Sequence, residues 1–415
     1  MRSVYVVLCD ACNGYTRTKQ FCVMAETHVF YATFAGRMER LKIIADDKIP
    51  FLKGVMEPYA DIVYLPGTAI TASDVKDADA LFTRTRTLCN ETLLKGSRVR
   101  LIATATIGYD HIDTDYCDAA GIRWINAPGC NASSVQQYIA AACVMLAHER
   151  ALRLADTTIG VIGVGNVGRR VAAAAEALGM RVLLNDPPRA EREGDAAFVP
   201  LEHLLNESDI VTCHTPLTCE GAYPTYHLAS DDFFGRMKGG AVFINSSRGA
   251  VADSGALKRA SRGKLSAFIL DTWENEPAID LDLLRDAFIG TPHIAGYSSD
   301  GKANGTAACV HEFCRFFGLD ALRDWYPADI PPPLMSATLA IDGAGKTAEA
   351  VFYEAVTHTY PIVQDSERLK QSPAMFEKLR GDYWIRRECK HFSLHLTRVA
   401  EETRNGLAGL GFTLR

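Results

Sequence analysis

The sequence predicts an α/β protein with two doubly wound domains and a small α/β domain at the C-terminus. Three observations predict it. Short β-rich runs alternate with helical runs in two successive cycles, one from Leu41 and one from Thr158. A glycine-rich turn joins the first strand of the second cycle to its first helix. Four prolines fall within Pro327–Pro333 and set a further stretch of about 80 residues apart from the body.

In the first cycle LKIIAD reads as a strand, IPFLKGVMEPYA as a helix and DIVYLPG as a second strand. ADALFTRT and VRLIATATIG are further strands, and GIRWINAPG leads into an apolar helix from about Ser134 to Arg150. In the second cycle TTIGVIGVG is a strand and RRVAAAAEAL a helix closed by Gly179. MRVLLND, DIVTCHT, AVFINSS, SAFILDTW and FIGTP follow as strands, the six-strand count of a doubly wound sheet. A helix runs from about Ser298 to Gly318. Beyond the prolines come a strand (ATLAID), two helices (GKTAEAVFYEAVTHTY and SPAMFEKLRGDYW) and a strand (HFSLHLT). The first 40 residues show no sustained period and are expected to lie outside the fold.

Composition narrows the class. Hydrophobic residues at 48% and charged residues at 23% are ordinary for a globular chain and exclude wholesale disorder. A formal charge of −6 without a long basic run argues against nucleic acid, and no apolar stretch reaches membrane-spanning length. The 12 cysteines are scattered singly, which predicts free thiols in a soluble, cytoplasmic protein. Cys9, Cys12, Cys22 and His28 suggest zinc only superficially, because the second half of the set does not match a common finger. No metal is expected.

The glycine-rich turn Gly163-Val164-Gly165-Asn166-Val167-Gly168 fits G-x-G-x-x-G in full context. A strand leads in, a helix leads out, and Asp186 ends the next strand 18 residues after Gly168. Gly163, Gly165 and Gly168, with Asn166 and Val167, form a turn that lets backbone approach a pyrophosphate at a helix N-terminus. Asp186 suits ribose hydroxyls and repels a 2′-phosphate, so NAD is expected over NADP. Arg189, in DPPR, is the one nearby residue that argues the other way.

Arg248, Glu276 and His293 each follow a strand of the same half, at the carboxyl ends where doubly wound sheets bind ligands. The trio suits a 2-hydroxy acid: arginine grips a carboxylate, histidine takes the hydroxyl proton, and glutamate orients the imidazole. Thr83-Arg84-Thr85-Arg86 ends the strand ADALF, and Arg84 is a candidate for a substrate phosphate. Strand alternation would point Arg84 and Arg86 one way and Thr85 the other unless the strand end bends.

INSSRGAVAD, LDTWENEP and TPHIAGYS resemble the signature blocks of the D-isomer-specific 2-hydroxyacid dehydrogenases. NAPGCNA, DPPRA and FEKLRGDYWIRRE narrow the resemblance to the bacterial erythronate-4-phosphate dehydrogenases, from about Leu41 to the C-terminus. The resemblance implies NAD-dependent oxidation of a small phosphorylated 2-hydroxy acid in vitamin B6 biosynthesis. It makes Arg248, Glu276 and His293 catalytic, and Asp186, Thr215, Asp271 and Gly296 cofactor contacts. Thr85, Thr106 and Tyr297 become substrate contacts. Residues 41–140 and 293–326 would form the substrate domain, 141–292 the NAD-binding (Rossmann-like) domain and 334–415 a homodimerisation domain. MERLKIIADDKIP resembles the family's opening, which points to Met38 as the start. Gln137 stands where many relatives have glutamate, and Ser246 where alanine is usual. Two other readings stay open: another dehydrogenase of the superfamily, of the phosphoglycerate or hydroxypyruvate type, and a non-catalytic NAD-sensing corepressor-like protein. Substrate profiling separates the first and detectable turnover the second.

Overall fold

The structure, a computed structural model, describes residues 40–194 and 197–415, together with the backbone of three strands before them. Those strands, β1 (Val6–Asn13), β2 (Thr16–Ala25) and β3 (His28–Phe34), form an antiparallel sheet paired from Val6↔Val23 and from Lys19↔Phe34. Composition, with its valines, threonines and aromatics, carried a strand signal that periodicity did not. The side chains of Cys9, Cys12, Cys22 and His28 lie outside the described residues.

The chain divides into two compact units. The first comprises residues 1–127 and 306–325. Its sheet contains β4 (Lys42–Asp46), β5 (Asp61–Leu65), β6 (Ala80–Thr83), β7 (Leu101–Thr104) and β8 (Arg123–Ile125), all parallel in the order β5-β4-β6-β7-β8. Alternation sorts β4 between two cores. Ile43 and Ala45 join Phe82, Ala103 and Phe313 on one face, and Ile44 joins Leu81, Ile102 and Val75 on the other. Phe82 meets Phe313 edge-on, with ring centroids 5.8 Å apart.

The helix expected over IPFLKGVMEPYA is instead a run of turns. Ile49, Leu52, Met56 and Ala60 are all buried and carry helical spacing. Yet Phe51 and Gly54 take positive φ, 61° and 85°, and Pro58 brings no N–H, so the backbone cannot wind.

The second unit comprises residues 128–305 and 326–415. Its main sheet contains β9 (Thr158–Ile162), β10 (Arg181–Asn185), β11 (Ile210–Cys213), β12 (Val242–Asn245), β13 (Ala267–Leu270) and β14 (Ile289–Gly290). All are parallel, in the order β10-β9-β11-β12-β13-β14, so chain direction across the sheet switches beside β9. The place of a further strand beyond β10 is taken by one bridge, Leu184↔Phe198. The unit's limits differ from those expected. A boundary at 140 would cut the helix Ala132–Arg150, whereas the division falls before it and within the helix Ser299–Phe317.

Helix Ala132–Arg150 is buried almost all round from Val135 to Ala147, as a helix covered on both sides must be. The main sheet contributes Ile159, Val161 and Ile244 to its core, and the C-terminal stretch contributes Val351, Phe352, Ala355 and Val356. That stretch has its own parallel sheet, β15 (Thr338–Asp342), β16 (Ser393–Thr397) and β17 (Thr413–Leu414), in that order. Sequence patterning missed β17 and the helices Ile362–Gln371 and Glu401–Gly409. The proline-rich stretch therefore does not isolate the C-terminal residues, which share one core with the second unit.

Gly406 marks how closely they pack: a Cβ there would lie 2.3 Å from the Ala177 carbonyl oxygen. Alanine is favoured over glycine within a helix by about 1 kcal/mol, but overpacking against backbone costs about 1–3 kcal/mol. Gly406→Ala should therefore lower stability, and a reduced urea unfolding midpoint checks it.

Candidate active site

Local geometry builds the glycine turn. Gly163 has φ 83°, and a Cβ on it would press to 2.8 Å from the His214 carbonyl oxygen. A Cβ on Gly168 would fall 1.9 Å from the Gly163 oxygen, so the helix Gly168–Ala177 leaves the turn only with glycine there. Gly165 is exposed, and a Cβ on it would meet nothing within 4 Å. Asn166 Oδ1 accepts from Arg169 at 2.8 Å, and Val167 is the helix N-cap. Asp186 accepts from the Val164 N–H at 2.8 Å and from the Arg189 N–H at 3.1 Å, so it joins the turn to the end of β10.

These residues fit a dinucleotide. The open face at Gly165 admits a pyrophosphate, and Thr215, just past β11, holds its Oγ1 buried with no partner among the described residues. Arg189 gives its Nε and Nη2 to Glu193 at 2.9 and 2.7 Å and its Nη1 to the Val164 oxygen at 2.5 Å. Its charge is matched by Glu193, which weakens the case for a 2′-phosphate.

Arg248, Glu276 and His293 lie in loops that follow β12, β13 and β14. Gly249 lets the first two meet: a Cβ there would lie 2.0 Å from the Trp273 carbonyl. Asn245 braces the Arg248 loop, donating to the Arg248 oxygen at 2.8 Å and accepting from Ser247 N–H and hydroxyl. Ser246 Oγ is buried there without a partner among the described residues. Glu276 Oε1 lies 2.5 Å from His293 Nδ1, and its Oε2 accepts from the Trp273 N–H at 3.2 Å. Burial alone would raise the Glu276 carboxyl, but the His293 hydrogen bond and charge, with Arg380, hold it below its ordinary range.

Asp271, expected at the cofactor, also organises the loop after β14. It is 1% exposed, and its carboxylate accepts from Thr291 Oγ1 (2.6 Å), Ile294 N–H (2.7 Å) and Ala295 N–H (2.8 Å). Its own carbonyl accepts from the His293 N–H at 2.7 Å. Burial raises its carboxyl, offset in part by His293 and by these donors. Asp271 thus shapes the loop in which His293 holds φ 56°. Gly296 is crowded by Asn131, whose Nδ2 a Cβ would approach to 2.1 Å.

Thr85, Thr106 and Arg84 belong to the first unit. Strand β6 stops at Thr83 and the chain bends over 85–87, so face alternation does not extend to Arg84, Thr85 and Arg86. Thr85 is exposed, and Arg84 donates to the Lys48 oxygen at 3.3 Å. Thr106 shares a 2.8 Å hydrogen bond with Thr104. Tyr297 belongs to the second unit, where its hydroxyl accepts from Arg380 Nε at 3.0 Å.

Sequence reasoning missed Arg380 and Arg386. Arg380 is 14% exposed with its Nη1 3.9 Å from Glu276 Oε1. Arg386 is fully buried and donates to the Ala295 oxygen at 2.5 Å. Arg380 lies within the stretch read as the helix SPAMFEKLRGDYW, and Arg386 in the double arginine that follows it.

Gly249→Ala should force the Arg248 and Glu276 loops apart. A misplacement of about 1 Å costs about 10²-fold in rate, so kcat/KM should fall by about that factor. NAD binding, followed by fluorescence, should persist.

A family model described as D-isomer specific 2-hydroxyacid dehydrogenase, NAD binding domain, matches residues 132–295. Erythronate-4-phosphate dehydrogenase of Bacteroides thetaiotaomicron is 50% identical over 356 residues, covering 85% of this chain and 99% of that protein. The enzyme of the same name from Escherichia coli is 39% identical over 355 residues, 84% of this chain and 92% of its own. Among solved structures, the NAD-bound 3-phosphoglycerate dehydrogenase of Entamoeba histolytica superposes with a TM-score of 0.58 at 26% identity, covering 69% of this chain and 98% of that one. The Aquifex aeolicus D-lactate dehydrogenase, complexed with NAD and lactic acid, gives 0.57 at 27% identity, covering 70% and 99%. With the glycine turn, the trio and identity sustained over most of its length, the chain belongs to the erythronate-4-phosphate dehydrogenases, within the D-isomer-specific 2-hydroxyacid dehydrogenases.

Proposed function

We propose that this chain oxidises 4-phospho-D-erythronate to (R)-3-hydroxy-2-oxo-4-phosphooxybutanoate with NAD, a step in the biosynthesis of pyridoxal 5′-phosphate. The observation that carries this reading is the 2.5 Å contact of Glu276 with His293, in a chain half identical to a relative named for that activity. Glu276, kept ionised, accepts the Nδ1 proton of His293 and leaves Nε2 with a free lone pair. Nε2 then takes the proton of the C2 hydroxyl, and Glu276 stabilises the resulting imidazolium. Arg248 grips the C1 carboxylate through paired N–H donors and orients C2. NAD supplies the acceptor for the hydride that leaves C2 as the carbonyl forms.

Gly163, Gly165, Asn166, Val167 and Gly168 would hold the pyrophosphate, with Asp186 on the ribose and Thr215 and Gly296 further along the cofactor. Asp271 would join these cofactor contacts, besides shaping the loop of His293. Thr85, Thr106 and Tyr297 serve as substrate contacts in this reading, and Arg84 as a reader of the phosphate. The homodimer forms through 334–415, where Leu334 and Met335 are exposed large apolar side chains, 63% and 37%. No described helix is long and apolar enough to cross a membrane. The reading places the enzyme in the cytoplasm.

NAD reduction should be fastest with 4-phospho-D-erythronate when it is assayed beside 3-phosphoglycerate and D-lactate. His293→Ala should lower kcat by about 10²–10⁴. Turnover near wild type in that variant would remove histidine from the mechanism. Asp186→Ala should narrow the preference for NAD over NADP by removing charge repulsion, read as the ratio of kcat/KM for the two cofactors.

A further inference from the structure

The loop that follows β14 is held from two sides. From below, the Asp271 carboxylate accepts the N–H groups of Ile294 and Ala295 at 2.7 and 2.8 Å. From above, Arg386 Nη2 donates to the carbonyls of the same two residues, at 3.3 and 2.5 Å. Both charged groups are buried, at 1% and 0% exposure, and among the described residues no carboxylate is bonded to Arg386. Its Nε and Nη1 are buried without partners among the described residues, and its guanidinium lies 4.4 Å from the ring centre of Tyr360. An arginine is costly to bury without an ion pair. Here the two peptides stand between it and the oppositely charged Asp271.

The same C-terminal segment reaches the loop and the helix start after it at four more places. Arg380 donates to Tyr297 Oη at 3.0 Å and stands 3.9 Å from Glu276. Ser299 N–H donates to the Arg386 carbonyl at 2.8 Å. Arg387 pairs with Asp300 through Nε and Nη2 at 3.0 and 3.2 Å, and Glu388 Oε1 accepts from Ser298 at 2.9 Å. Ile294, Ala295, Tyr297, Ser298, Ser299 and Asp300 are thus each bonded to this segment, and Ala295 is held by both charges.

We propose that the segment 380–388 is a working part of the catalytic site, in which Arg386 and Arg380 are positioning residues for the Glu276–His293 pair. Arg386 locks the loop that keeps His293 in its left-handed backbone conformation, one that a non-glycine residue holds only when its surroundings impose it. Arg380 fixes the Tyr297 hydroxyl and places a positive charge beside Glu276. The charged groups around the pair are Arg380, Asp271 and, across the loop, Arg386. This inference rests on His293 being the acid/base of the reaction.

The test is kinetic, on the full-length enzyme. Arg386→Met keeps the bulk and removes the donors, whereas Arg386→Lys keeps one donor and the charge. For Arg386→Met the expected result is a kcat lowered about 10- to 100-fold, unchanged NAD affinity, and a larger primary isotope effect with substrate deuterated at C2. Arg386→Lys should fall between it and wild type. Arg380→Gln removes a charge that helps keep Glu276 ionised, so the pair takes up a proton more readily. The acid limb of its kcat profile should move to higher pH, and Arg380→Lys should return it. A merely structural role would lower the melting temperature without moving the limb or the isotope effect.

Should Arg386→Met fail to fold, the partly exposed Arg380 pair decides alone. Folded Arg386→Met and Arg380→Gln enzymes with wild-type kcat and pH profile would overturn the proposal. Full activity of His293→Ala would overturn the reading beneath it. An inactive His293→Ala beside a wild-type Arg380→Gln condemns only the proposal.

Discussion

Helix Ala132–Arg150 has no polar face between Tyr138 and Ala147, and the rest of the second unit follows from the need to cover it. One side is met by the parallel sheet, through Ile159, Val161 and Ile244. The other side carries Tyr138 and His148, which meet the Tyr360 and Tyr353 rings of the C-terminal stretch. The C-terminal helices close that side, with Phe352 and Leu407 among the buried contributors. Burying apolar side chains of this size is worth about 1.5–3 kcal/mol each, so sheet, helix and C-terminal stretch are stabilised together. The C-terminal stretch is held to the body by this shared core as well as by chain connectivity.

That coverage also governs the chemistry. The chain that closes over the helix continues directly into the residues that touch the loop after β14. A catalytic histidine with positive φ needs an environment stiff enough to hold it. Peptide groups bonded at both their N–H and C=O ends by buried charges provide such stiffness. Gly249 solves a related problem at the neighbouring loops, where absence of a side chain lets two backbone segments touch.

Legibility in the sequence followed the range of the interactions. The six strands of the main sheet and the glycine turn are local patterns, and the structure places all of them where composition and spacing put them. Glu276 and His293 were readable because each follows a strand that ends at the same edge. The turns at 49–60 were misread because Ile49, Leu52, Met56 and Ala60 have the spacing of a helix face while Phe51 and Gly54 dictate another backbone. The resemblance put Asp271 at the cofactor, whereas its work on the loop shows only in its three donors, two of them backbone N–H groups. Arg386 was invisible because its partners are main-chain carbonyls some ninety positions away, and a carbonyl leaves no mark in a sequence.

Gln137 shows how far the C-terminal stretch reaches. Its amide donates to the Arg387 carbonyl at 3.1 Å from within the helix that everything else covers. Residues 380–388 are also synthesised some ninety positions after the loop they hold. A chain growing from its N-terminus can form the glycine turn, β13 and the Glu276 loop while that segment is still within the ribosome. The partners of Ile294 and Ala295 on one side arrive with Asp271, before the loop, and those on the other side arrive only with Arg386. Synthesis order therefore leaves the histidine loop half-held until Arg386 emerges, and a ribosome stalled short of it carries an unfinished centre.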